Sequence, residues 1–349
     1  MMDNKKRTIK LGTGLHWLDA YSYSDVVALI QKIESLGYDQ LWISNEKFFH
    51  DMYITATTAA VHSKDLKIGT FVADPYSHHP ALTASAIATL DKVSGGRAIL
   101  CMGAGGTGFP VIGIKRSKPA KAIKEAVQVI RGLWKGEVVD FEGEVIQCHN
   151  GTLNLSTRAD IPVVVASRGN LVLRSGGEVA DGVMIATYAE PIGIQHAIDQ
   201  ITIGAERAGR DIKQIEIISR VDACICEDRR AAYDAVKPMV GVFLWTSYPD
   251  RTFVKKVGLQ IPDEVEVIIA KRDYNLMVEN AHLIPDEFVD KFCWAGTAEE
   301  VAQKVADVVA MGITNITFLP HPAVGRTIDE TIEGFANVVK PYLEDQLNG

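Results

Sequence analysis

The sequence predicts an α/β protein, a (β/α)8 TIM barrel with insertions, built as one domain over residues 1–349. Three observations carry that prediction. Short apolar runs alternate with amphipathic helical patterns along the whole chain, and eight such units imply a parallel sheet closed on itself. One join recurs: SLGYDQLWI at 35–43 and MGITNITFL at 311–319 each place a glycine just past a helix and before a β-rich run. Glycine there supplies the left-handed conformation that ends a helix. The runner-up, a doubly wound open sheet, calls for fewer strands and a visible dinucleotide fingerprint.

The eight strands are expected at 8–16, 39–43, 67–73, 97–103, 162–166, 182–186, 214–225 and 313–319. Helices are expected at 22–36, 52–63, 80–93, 117–134, 170–180, 192–209, 228–245 with 297–311, and 327–343, from the spacing of apolar residues. Thr297 followed by Glu300 is a capping box opening the 297–311 helix. Two stretches break the rhythm. Residues 136–158 read as a hairpin-bearing insertion before the fifth strand. Residues 246–296, with Pro249, Pro262 and Pro285, read as an insertion in the seventh helical layer.

Composition narrows the function class. The chain is 47% hydrophobic and 23% charged, ordinary for a globular enzyme. Its net charge of −8 and lack of a basic block argue against a nucleic-acid partner. No apolar run approaches the roughly 18 residues of a membrane span. The polar first ten residues lack the apolar core of a signal peptide, so a cytoplasmic location is expected. Five cysteines, an odd and sparse set, predict small buried hydrophobes and no disulfide framework.

In a (β/α)8 barrel the chemistry sits at the C-terminal strand ends, which selects a few rim segments. ASRGN at 166–170 opens a helix, where Ser167, Gly169 and Asn170 offer donors, Arg168 adds charge, and the helix dipole favours an anion. Ordinary N-capping by Ser167 or Asn170 is the alternative. GAGGTGF at 103–109 lets backbone N–H groups approach a ligand, without a Walker lysine. Asn45 and Glu46 end the second strand. Glu46 is a candidate proton donor, or a bridge to Lys47 or Arg116. Of His78 and His79, one is expected at a loop or helix entry and the other facing the site. His16, Trp17, Tyr188 and His321 are further lip residues.

The run HPALTASAIATLDKVSGGRAILCMGAGG, 79–106, resembles the signature region of the bacterial luciferase-like flavin and deazaflavin oxidoreductases, most specifically at ATLDKVSGGR, 88–97. KIGTFVADPY at 67–76, ASRGNLVLRSGGEVADGVMIA at 166–186 and GTAEEVAQKVADVVAMGITNITFL at 296–319 extend the resemblance over nearly the whole chain. It is nearest to the coenzyme F420-dependent methylenetetrahydromethanopterin reductase branch. The resemblance implies a (β/α)8 barrel with coenzyme F420, or alternatively FMN, at its mouth. It implies a cis non-proline bulge at Phe71–Val72, with Val72–Ala73 the next choice. It places the cofactor phosphate near Ala166, Ser167, Gly169 and Asn170, and the ring near Asn45, Glu46, Val72, Ala73, Gly103 and Ala104. Many deazaflavin members carry Asp-His where Asn45 and Glu46 stand. The methanopterin reductases carry acidic residues near Gly14 and at Gly106. These departures leave the cofactor assignment intact and detach the methanopterin substrate from it.

The expected function is therefore hydride transfer between coenzyme F420 and a small organic substrate, with Glu46 or His16 handling the proton. The alternative is an FMN-dependent monooxygenase supplied by a flavin reductase. A non-enzymatic flavin-binding barrel is a third reading. The family implies a homodimer or homotetramer.

Overall fold

Runs such as VVVAS at 163–167 offer no polar face to water, so they form strands covered on both sides. The computed structural model describes residues 7–16, 18–106, 108–247 and 250–349. In chain order its strands are β1 (Lys10–Leu15), β2 (Gln40–Ser44), β3 (Lys67–Phe71), β4 (Ala98–Met102), β5 (Val139–Glu142), β6 (Gln147–Gly151), β7 (Val163–Ser167), β8 (Gly182–Ala186), β9 (Glu216–Ile225), β10 (Cys293–Gly296) and β11 (Asn315–Pro320). Eight of them close a parallel barrel in the order β1, β2, β3, β4, β7, β8, β9, β11. β11 returns to β1 with Lys10 opposite Asn315, and β8 meets β9 with Gly182 opposite Glu216. All eight expected strands form, with ends shifted by a few residues. β10 was not expected. Its four residues pair with Asp222–Ile225 of β9, on the edge that β8 leaves after Ala186.

The helices are α1 (Tyr23–Ser35), α2 (Met52–His62), α3 (Pro80–Val93), α4 (Pro119–Trp134), α5 (Asn170–Val179), α6 (Pro191–Arg207), α7 (Arg229–Thr246), α8 (Thr252–Lys256), α9 (Asp263–Ala270), α10 (Tyr274–Glu279), α11 (Asp286–Phe292), α12 (Ala298–Val309), α13 (Asp329–Gly334) and α14 (Lys340–Asn348). The Thr297–Glu300 capping box is present on α12, and Gly37 and Gly312 take the positive φ that the helix–strand joins require. The last helix, expected as one run, is divided by a π-helical turn at Phe335–Val339. Between α4 and β7, β5 and β6 pair as an antiparallel hairpin. The Glu125 carboxylate of α4 holds this hairpin by accepting the backbone N–H groups of Glu144, Val145 and Ile146, each at 2.9 Å. Four short helices, α8 to α11, fill the stretch between α7 and β10. Among the described residues no helix is long and apolar enough to cross a membrane. All five cysteines are buried.

The ATLDKVSGGR run works as a pin rather than a binding loop. Arg97 donates to the carbonyls of Ala60, Ser63, Leu66 and Ser94, so one guanidinium satisfies the orphan carbonyls where α2 and α3 end. Asp91, at the end of α3, takes Arg158 from before β7 at 2.9 and 3.0 Å.

Most of the core lies between strands and helices. A smaller cluster fills the lumen: Trp42, Ile99, Cys101, Val164, Ala166, Met184 and Ile218, with Phe71 and Val72 against it. Trp42 is fully buried. The indole fits because Gly69 faces it across β3: a Cβ on Gly69 would stand 2.1 Å from Trp42 Cε3. Gly69→Ala is therefore expected to destabilise the fold by about 1–3 kcal/mol through overpacking, measured by urea unfolding. Adding Trp42→Phe should recover part of the loss; two strictly additive losses would show that the two positions do not compete for the same space.

Candidate active site

The C-terminal strand ends converge on a cleft of ≈ 650 Å³. A groove of ≈ 760 Å³ runs outside the barrel between α12 and α14, remote from the strand ends where barrel chemistry is assembled.

One wall of the cleft is a bulge. The Phe71–Val72 peptide bond is cis, at the position the family resemblance implied. Beyond it the chain rejoins β4: Ala73 N–H donates to Cys101 O at 2.9 Å and Gly103 N–H to Ala73 O at 3.0 Å. Val72 then presses so close to Gly103 that a Cβ there would stand 2.7 Å from Val72 Cγ2. Only glycine allows this approach. Asn45 holds the bulge from the side, donating Nδ2 to Val72 O at 3.1 Å. Lys47 Nζ in turn donates to Asn45 Oδ1 and Asp74 Oδ2, both at 3.1 Å, and to Ser77 Oγ at 2.9 Å. Asp74 is buried and also accepts the N–H groups of Tyr76 and Ser77. These residues form one network whose product is a fixed Val72.

Glu46 is half-buried on the cleft wall. Neither expected bridge forms: Lys47 pairs with Asp74, and Arg116 donates to Gly105 O at 3.0 Å. Burial raises the Glu46 carboxyl above the usual range, against opposing pulls from Arg220 and Lys47. Gly103, Ala104, Gly105 and Gly106 line the cleft below it. Thr107 lies outside the described residues.

The opposite wall is the start of α5. Gly169 is its N-cap and supplies no side-chain cap. Ser167 Oγ instead accepts the Gly169 N–H at 3.0 Å, and Asn170 Oδ1 accepts from His196 Nε2 at 2.9 Å. The N-capping alternative is thus not what forms. The first N–H groups of α5 are left without a side-chain partner at its cleft-facing end, a ready site for an anion. Ala166 lines the floor. Arg168 lines the rim but is spent elsewhere: Nε donates to Ser247 Oγ at 2.8 Å, and Nη2 to Phe243 O and Thr246 Oγ1 at the C-terminus of α7.

A charged pair that the sequence reading did not select, Arg220 and Asp222, lies beneath the mouth beside the lip residues His16 and His321. Arg220 and Asp222 alternate along β9 and continue the inward face begun by Ile218. Arg220 Nη1 meets Asp222 Oδ2 at 3.0 Å. His321 Nε2 donates to Asp222 Oδ1 at 2.7 Å. Burial alone would raise the Asp222 carboxyl, but Arg220 and His321 override it and hold it below the ordinary range. His16 Nε2 donates to Pro320 O at 3.2 Å, and its ring meets His321 edge-on at 4.8 Å. The sequence signal was available: two opposite charges at i, i+2 inside the apolar run EIISRVDACI must share a face and pair.

The other lip residues resolve differently. His79 caps α3 and bonds Gln147 O at 2.8 Å, the helix-entry role expected of one histidine. His78 does not face the cleft; it bonds Thr83 Oγ1 at 3.1 Å and lies against Tyr53. Tyr188 turns into the core against Phe292. Trp17 and Pro249 lie outside the described residues.

The His16 environment has a measurable consequence. Burial, then repulsion from His321, pulls its pKa from 6.5 to about 3. Between those values the unfolded chain binds a proton that the folded chain does not. Stability therefore falls as pH drops from 6.5 towards 3. His16→Gln is expected to flatten the decline of Tm between pH 7 and pH 4. An unchanged slope would remove His16 as the cause.

Comparison with known proteins identifies the family. The model of the luciferase-like monooxygenase family matches residues 8–315. A 5,10-methylenetetrahydromethanopterin reductase of Methanolobus tindarius is 31% identical over 286 residues, 81% of this chain and 86% of that protein. A phthiodiolone/phenolphthiodiolone dimycocerosates ketoreductase of Mycobacterium tuberculosis is 26% identical over 76% of this chain and 73% of its own. The solved coenzyme F420-dependent tetrahydromethanopterin reductase of Methanopyrus kandleri superposes with a TM-score of 0.82 at 26% identity, over 97% of this chain and all of the other. The chain, a closed (β/α)8 barrel, belongs to the luciferase-like monooxygenase family.

Proposed function

We propose that this oxidoreductase binds coenzyme F420 in the cleft and transfers hydride between it and a small organic acceptor. The observation that carries the reading is the pairing of two walls: the uncapped N-terminus of α5 and the Asn45-braced bulge at Val72. The first suits a phosphate, held by the backbone N–H groups at 170–172 with Ser167 and Asn170 beside them. The second suits a flat ring, supported by Val72, Ala73, Gly103 and Ala104. The relatives named for coenzyme F420 and methylenetetrahydromethanopterin support the cofactor class. When bound, the deazaflavin supplies a carbon centre that carries hydride.

The protein's own part is positioning and proton handling. Of the two candidate acids, Glu46 suits the task better. Burial raises its pKa, so it keeps a proton to higher pH than an ordinary carboxylic acid. His16 is held neutral and tied to Pro320, so it has no acidic proton to give near pH 7. Its role is support of the array below. With Glu46 as acid, turnover in the direction of acceptor reduction falls as pH rises through its raised pKa.

We also propose a homo-oligomer formed through the outer face of α1, α2 and α3. Tyr23, Ile54, Val61 and Leu82 are each more than half exposed there, and α2 carries no Asp, Glu, Lys or Arg. Light scattering is expected to give a multiple of the 38.1 kDa chain mass, reduced to the monomer by Ile54→Glu with Val61→Glu. A wild-type monomer would end this proposal.

Titration of F420 and FMN, each followed by fluorescence, tests the cofactor. Binding of F420 is expected at micromolar concentration. Binding of FMN alone would replace the reductase with a monooxygenase that draws reduced FMN from a flavin reductase. Glu46→Gln is expected to keep F420 binding and to lower kcat about 100-fold, the lower end of general acid contributions. Unchanged turnover would remove Glu46 from proton transfer.

A further inference from the structure

Arg220 is more than half of an ion pair. It is 4% exposed and lines the cleft together with Val72, Gly103 and Ala186. Its Cζ lies 4.8 Å from the centre of the Phe71 ring, directly before the cis bond. Asp222 meets only one edge of it, at Nη1, and shares that carboxylate with His321. Nε is buried and has no hydrogen-bond partner among the described residues. Asp222 Oδ2 likewise makes no hydrogen bond, so the pair is held by charge rather than by a directed bond, and Arg220 is a buried cation with spare donor capacity at the edge of the cleft.

We propose that Arg220 is the electrostatic contact that favours the hydride-loaded form of the redox ring seated against the Phe71–Val72 bulge, with Asp222 and His321 as its positioning residues. The inference rests on the cofactor reading above. Its chemistry is charge balance. A hydride brings two electrons and one proton, so the ring that receives it gains one unit of negative charge. The donor, which loses the hydride, is oxidised and gives up the same charge. A fixed, buried guanidinium stabilises the more electron-rich partner of that exchange. Other groups share the chamber. Glu46 and Asp222 oppose the cation's field, while Arg168, tied to α7, adds to it. His321 holds the other oxygen of Asp222, Oδ1, at 2.7 Å.

The test compares dissociation constants for oxidised and reduced F420, measured anaerobically on the whole protein, for wild type, Arg220→Met and Arg220→Lys. Oxidised cofactor is read by its fluorescence and reduced cofactor by competition. Arg220→Met is expected to weaken reduced F420 at least tenfold more than oxidised F420. That ratio lowers the potential of the bound two-electron couple by about 30 mV. Arg220→Lys keeps the charge but moves the donor edge, and a split of about threefold is expected. Should Arg220→Met fail to fold, the lysine variant carries the comparison. Equal weakening of both forms, or none, overturns the proposal and makes Arg220 structural. A raised KM for the acceptor with an unchanged redox ratio also overturns it. If wild type binds FMN and not F420, the cofactor reading fails, and the same ratio measured with oxidised and reduced FMN decides Arg220. If it binds neither, both fall.

Discussion

The mouth of this barrel depends on the reach of β9. It is ten residues long, against five in β8 and six in β11. Its lower half closes the barrel by pairing with β8. Its upper half rises past the end of β8 and carries Asp222 to the level of His321. That upper edge would present unpaired N–H and C=O groups if nothing followed β8, and buried backbone groups must be satisfied. β10 supplies the partner, with Cys293 opposite Asp222 and Gly296 opposite Ile225. The insertion that precedes β10 thus returns the chain to the one place where an edge was open. The charged pair of Arg220 and Asp222 therefore sits on a strand held from both sides rather than on a loop, which fixes its geometry.

How much of this was legible follows from what each signal is made of. The barrel strands were legible because their apolar runs have no other stable home. The joins were legible because Gly37 and Gly312 serve a backbone conformation that few other residues tolerate. β10 was not: CWAG is four residues at the end of an irregular stretch, and its strand character comes from the free edge of β9. The π-turn at Phe335–Val339 was equally silent, because its apolar spacing fits an ordinary helix. In the cleft, the bulge and the α5 terminus came from family resemblance and dipole physics. The Arg220–Asp222 pair was written in the β9 run itself, as two opposite charges two residues apart in an apolar stretch, away from the rim loops where barrel chemistry is expected. Lys47 was considered for Glu46, but its actual partners, Asn45, Asp74 and Ser77, lie on separate segments that only the fold brings together.

The cleft separates two uses of positive charge. At α5 the donors are backbone N–H groups, fixed by the helix and costing no side-chain entropy. At α7 the negative end of a helix is answered by a side chain, Arg168, reaching across from the β7 loop. The two helix ends meet at one rim with opposite polarity, and Arg168 joins them. Its place in the fold ties the loop between β7 and α5 to the first residues of the stretch that runs to β10.

The closure of β1 on β11 has a kinetic side. Lys10 pairs with Asn315, and Arg7 exchanges hydrogen bonds with Asn348 of α14. One edge of the first strand therefore has no native neighbour until nearly the whole chain has left the ribosome. Such long sequence separation makes the last closure slow relative to the local βα units. It also leaves β1, buried on both faces beyond Lys10, as an edge open to wrong pairing during synthesis.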